Sequence, residues 1–168
     1  MKRIFAALIV FSLSSPCLAA ETNINTENWV LLNAENAFTL RAPPETKFKQ
    51  QQAIDSVASS FENPKFEINF DYGHYSNTLG GMKSDPSYKV EDILIDGRKG
   101  VLVTGAGKAH WGCKDLVTAA YVVVARKSGD WGDTRLEIDG CAKSPEDIST
   151  LQEIFRTIVF ADRRLSRG

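Results

Sequence analysis

The stretch "LVTAAYVVVA" (residues 116–125) decides the fold. It is almost continuously apolar and rich in β-branched residues, at a length that suits a central strand covered on both faces. "KSGDWG" (127–132) then supplies a turn, and "TRLEID" (134–139) alternates, with Thr134, Leu136 and Ile138 directed inward. The two runs therefore read as neighbouring antiparallel strands of one sheet. The pairing brings Cys113 and Cys141 to the same open end of the hairpin, a few residues out of register, and a loop over 111–115 can absorb the offset.

Working outward, "YKVEDILI" and "GVLVTGAG" flank "DGRK" (96–99), where Asp96-Gly97 is the signature of a tight primed turn that needs positive φ. In the first arm Tyr88 and Val90 share one parity, whereas Ile93 and Ile95 share the other, which predicts a bulge or twist at Glu91-Asp92. Further upstream, Phe66, Ile68, Phe70 and Tyr72 alternate with Glu67, Asn69 and Asp71. That period of two predicts a strand with one buried and one solvated face, Tyr72 on the first and Asp71 on the second. "GHYSNTLGGMKSDPS" (73–87) follows, a long segment of turn chemistry with no regular element expected in it. "WVLLNA" (29–34) and "AFTLRA" (37–42) read as short strands, the second ended by Pro43-Pro44. Residues 47–60 read equally as helix or strand, since Ala53, Ile54, Val57, Ala58 and Phe61 fall at helical spacing while "ENPK" (62–65) resembles a hairpin turn after a strand.

The clearest helix closes the chain. Ser144 is its N-cap, Pro145 suits the first helical position, and Glu146 and Asp147 favour the positive end of the dipole. Ile148, Leu151, Phe155 and Ile158 make one apolar stripe for the sheet, and "TIVF" leaves as a final strand.

The ends of the chain bear on its compartment. A basic start (Lys2, Arg3), an apolar run from Ile4 to Leu13 and the small-residue exit "SSPCLAA" are the layout of a secretory signal peptide, cleaved after Ala19. That run is too short for a bilayer core of roughly 30 Å. Pro16 and Ser14 do not fit a lipobox around Cys17. The organisation expected is a signal peptide over 1–19, a loose leader over 20–28, one domain over 29–161 and a flexible tail over 162–168. Removing Lys2 and Arg3 from the 20 basic residues leaves 18 against 21 acidic ones, a net charge of −3. Such a balance gives no electrostatic reason to bind nucleic acid. With Cys17 removed, Cys113 and Cys141 form an even pair, read as a structural disulfide of an exported protein.

An early strand running into "RAPPE", a hairpin centred on Asp-Gly, a long apolar strand and a closing helix ending "LQEIFRTIVF" together resemble the PsbP-like α/β/α sandwich superfamily, from Phe38 to Phe160. The resemblance implies an antiparallel sheet flanked by helices and a habit of binding other macromolecules. It carries no catalytic residues to transfer.

The candidate chemistries are few. His74 and His110 are the only histidines, and neither accompanies a nucleophilic serine motif. "GAGKAH" (105–110) lacks the phosphate-loop spacing. Glu91-Asp92 and Glu146-Asp147 are adjacent carboxylates with structural explanations, a bulge and a helix start. A metal site would draw on Asp71, His74 and His110, although their spacing matches no metal motif. The contact candidates are Tyr75, Trp111 and Trp131, aromatic residues in loops. The expectation is a single α+β domain, a twisted antiparallel sheet with the C-terminal helix on one face and one disulfide. It is expected to act without cofactor or catalysis as a periplasmic or secreted protein-binding module, with a metal-dependent enzyme or small-ligand carrier as the alternative.

Overall fold

A computed structural model describes residues 24–51, 55–107, 113–126 and 132–161. The elements in chain order are β1 (Val30–Ala34), β2 (Phe38–Ala42), β3 (Lys47–Gln50), β4 (Ser56–Glu62), β5 (Phe66–Gly73), α1 (Gly80–Ser84), β6 (Lys89–Ile95), β7 (Arg98–Ala106), β8 (Leu116–Ala125), β9 (Thr134–Ala142), α2 (Pro145–Arg156) and β10 (Val159–Phe160). The ambiguous 47–60 region resolves as strand on both sides of residues 52–54, which lie outside the described residues. β3 pairs with β4 and β4 with β5, turning through Asn63-Pro64-Lys65.

Seven strands form one antiparallel sheet in the order β3-β4-β5-β9-β8-β7-β6, and β1, β2 and β10 form a second, smaller sheet with β2 at its centre. Asp96 (φ 48°) and Gly97 (φ 74°) make the expected two-residue turn between β6 and β7, with Ile95 opposite Arg98. The α2 start is also as its sequence implies. Ser144 Oγ accepts the Asp147 N–H at 3.1 Å, and Pro145 opens the helix.

The large sheet buries both faces, for different reasons. Its inner face packs on α2 and on the small sheet. There Phe38, Phe61, Phe70 and Phe160 surround one centre with Ile95, Leu136, Ile138, Leu151 and Phe155. The Phe38 and Phe70 rings meet edge to face at 4.9 Å. The outer face carries a second cluster of Leu79, Met82, Tyr88, Val103, Cys113, Val117 and Ala119. β8 feeds both clusters from alternate residues, which is why it reads as an unbroken apolar run.

Three sequence expectations are corrected here. β6 pairs with β7 in unbroken register from Lys89↔Thr104 to Ile95↔Arg98, so there is no bulge at Glu91-Asp92. The parity switch exists because Tyr88 serves the outer cluster while Ile93 and Ile95 serve the inner one. A register shift does occur, between Val123 and Ala125 of β8. Second, residues 73–87 are not structureless, for they contain α1, and Leu79 and Met82 drop from them into the outer cluster. Third, Asp71 does not stand on an open solvent face. It is half-buried, because the 74–88 segment covers the outer side of β5 and β9.

Among the described residues no helix is long and apolar enough to cross a membrane. Cys113 and Cys141 are disulfide-bonded, with Cα atoms 5.6 Å apart. Cys141 sits opposite Val117 in the β8–β9 ladder, so the bridge reaches back to the chain just before β8.

Candidate functional site

The features that distinguish this surface gather where β5 ends and the covering segment begins. β5 and β9 pair in register, with Asn69 opposite Asp139 and Asp71 opposite Glu137. Because side chains alternate along a strand, Glu137 and Asp139 share the outer face with Asp71 and Asn69. Glu137 is 1% exposed and Asp139 4%, values more usual for leucine than for carboxylates. Among the described residues no salt bridge reaches Asp71, Glu137 or Asp139. Each also has one oxygen without a hydrogen-bond partner: Asp71 Oδ1, Glu137 Oε1 and Asp139 Oδ1.

Burial pushes the Glu137 carboxyl up to about 8, with the Asp139 and Asp71 charges adding to it and the Asn77 N–H opposing. Burial also pushes Asp139 up to about 7, opposed by a hydrogen bond from Asn69. A proton thus does what a cation would otherwise do.

The covering segment is fixed at several points. The Asn77 N–H donates to Glu137 Oε2 at 3.0 Å, and Ser76, 2% exposed, donates its hydroxyl to the Asp71 carbonyl oxygen at 3.0 Å. His74 Nδ1 lies 3.3 Å from the Asp133 carbonyl oxygen. Leu79 (φ 55°) is buried beneath the start of α1. Between these anchors Tyr75 stands 72% exposed, the most exposed of the large apolar side chains among the described residues. Its neighbours are tied down, and it is not.

The sequence candidates distribute accordingly. Tyr75 and Asp71 are brought to this region, and His74 is turned toward Asp133. His110, Trp111 and Trp131 lie outside the described residues. Among the described residues no group of three histidine, cysteine, aspartate or glutamate side chains is arranged to hold a metal ion. Glu91 pairs with Lys89 at 2.8 Å, and Asp147 accepts the Ser144 hydroxyl at 2.6 Å, so each proposed carboxylate pair has a local partner. Sequence reasoning missed Glu137 and Asp139. The signal that points to them is the pairing of two acidic strands, Asp71 across from Glu137, beside a segment with apolar residues at 79 and 82 that need a surface to cover.

A separate cleft of about 360 Å³ lies at the start of α2, lined by Trp29, Pro43, Pro64, Phe66 and Glu146 among others.

No protein-family model matches the chain, and no curated protein matches it. Among solved structures, a crystal structure of a protein from Bacteroides thetaiotaomicron VPI-5482 is similar with a TM-score of 0.42 and 12% identity, covering 74% of this chain and 45% of that chain. This chain thus spans less than half the length of that protein.

Proposed function

We propose that the protein is an exported, non-enzymatic binding domain whose partner is another protein of the cell envelope, and that Tyr75 is its central contact residue. One observation carries this reading: a tyrosine 72% exposed on a segment whose flanking residues are anchored. An aromatic side chain buries much area on binding, and a frame that is already ordered forfeits little entropy when it does so. An envelope accessory factor and an inhibitor or immunity protein both fit this description. The signal-peptide layout and the disulfide favour an oxidising compartment outside the cytoplasm. The PsbP-like α/β/α architecture belongs to the same proposal, since it associates this layout with binding other macromolecules.

The test is capture of partners from an envelope extract by the oxidised domain, repeated with Tyr75→Ala. Truncating a central aromatic contact is expected to weaken the complex by about 2 kcal/mol, roughly thirtyfold in Kd, with thermal stability unchanged. A partner retained with undiminished affinity by Tyr75→Ala contradicts the assignment.

A second reading rests on the cleft beside Trp29. Its lining joins apolar Trp29, Pro43 and Phe66 with charged Glu45, Lys65 and Glu146, which suits a small ligand and would make the domain a carrier. Ligand-induced quenching of Trp29 fluorescence in a small-molecule screen supports this reading, and its absence together with a captured protein partner removes it.

A further inference from the structure

Glu137 does more than fill the sheet. Its carboxyl lies beneath the segment that displays Tyr75, accepts a backbone N–H from that segment, and is 1% exposed. The groups around it come from every packed element, and the covering segment itself contributes His74, whose Nδ1 lies 3.3 Å from the Asp133 carbonyl oxygen. From β5 come Asp71, directly opposite, and Asn69, with Glu67 further along. From β9 itself come Asp139 and Arg135, two positions either way, and the Arg135 Nε has no hydrogen-bond partner. β8 places Tyr121 in register with Glu137. Lys83 of α1 is held over the Tyr121 ring at 6.0 Å, and Tyr88 comes from the chain entering β6. The balance is acidic at the centre, and like charges directly opposite on a ladder repel.

We propose that Glu137 is a proton-operated latch for residues 74–79. With its carboxyl neutral, the segment lies closed over β5 and β9 and Tyr75 is held outward. With the carboxyl ionised, the charge needs water that the closed segment excludes, and the segment lifts.

The direction follows from linkage. The closed form holds a proton that an open, hydrated glutamate gives up near 4.5, so closure is fully favoured below that pH and is lost as pH rises through about 8. Asp139, raised to about 7, acts in the same direction at lower pH. If Tyr75 is the contact residue, as proposed above, partner affinity falls over the same range.

Hydrogen exchange of the oxidised protein tests the latch without any partner, so its result is independent of the binding reading. Exchange of residues 74–82 is followed at about pH 6 and about pH 9, corrected for the intrinsic pH dependence of amide exchange. Wild-type protection is expected to fall by about tenfold or more, while Glu137→Gln, a permanently neutral isostere, loses clearly less, the remainder being due to Asp139. Wild-type protection that is flat with pH, or an equal loss in Glu137→Gln, overturns the proposal. Should Glu137→Gln fail to fold, Asp71→Asn serves. Removing the opposing charge is expected to shrink the loss of protection, and an undiminished loss overturns the latch.

Discussion

A carboxyl group stripped of water must be compensated by a cation, by hydrogen-bond donors or by a proton. At Glu137 the donors amount to one backbone N–H, from Asn77, and the Glu137 Oε1 atom has no partner. The proton supplies the rest. For an acid, a folded-state value raised above the unfolded one means that stability is complete below about pH 4.5 and is lost as pH rises toward about 8. The melting temperature is therefore expected to decline from about pH 5 to about pH 9, and Glu137→Gln to flatten that decline. Thermal denaturation across this range checks it, and a wild-type melting temperature that rises with pH contradicts it. This residue was not legible in the sequence. The alternation of "TRLEID" that sends Leu136 and Ile138 inward leaves Glu137 and Asp139 for the other face. What covers that face is the 74–88 segment, some 60 residues upstream, as the Asn77 contact shows. Local periodicity says which residues share a face and nothing about what lies on it.

At the scale of elements, legibility followed how local the determinant is. The Asp96-Gly97 turn and the Ser144 cap depend on a few neighbouring residues, and both form as read. The 47–60 region was ambiguous because β3 and β4 are short and Phe48 and Phe61 meet across the ladder rather than along the chain. The parity switch in β6 needs no bulge, because Tyr88 packs into the outer core while Ile93 and Ile95 pack into the inner one, and which core a residue serves is not written in its neighbours. α1 is only five residues long, below what helical periodicity can announce. At Gly140 of β9 the helix sits close on the sheet, for an added Cβ would meet Leu151 Cδ1 and Cδ2 at 2.7 Å. Leu151 is fully buried and has little room to give. Gly140→Ala is expected to destabilise the fold by about 1–3 kcal/mol through forced displacement of α2, as measured by urea denaturation. An unchanged midpoint would mean that α2 is not seated on β9 as described.

At the scale of the molecule, one large sheet separates two cores, and the disulfide belongs to the outer one. Cys113 is buried there and Cys141 packs against it, 28 residues apart in sequence. Opening a loop of this length is expected to cost about 3–4 kcal/mol in the chain-entropy model, so Cys113→Ser with Cys141→Ser should lower the urea midpoint markedly while leaving the inner core intact. The two faces also differ in what they offer a partner. The β1–β2–β10 sheet packs on the inner side and exposes Leu31, while the outer side presents Tyr75 on its anchored segment. The sequence marks Tyr75 as an aromatic residue in a loop. Its outward display depends on the tethers at Ser76 and Asn77, which only the folded pairing of β5 with β9 reveals. The central claim is that this side chain meets a protein partner. The most direct test is photo-crosslinking in an envelope extract from a reactive phenylalanine analogue at position 75, with the same analogue at position 31 as control. The account predicts one dominant adduct from position 75 that position 31 does not give. No adduct from position 75, or the same adduct from both positions, would contradict it.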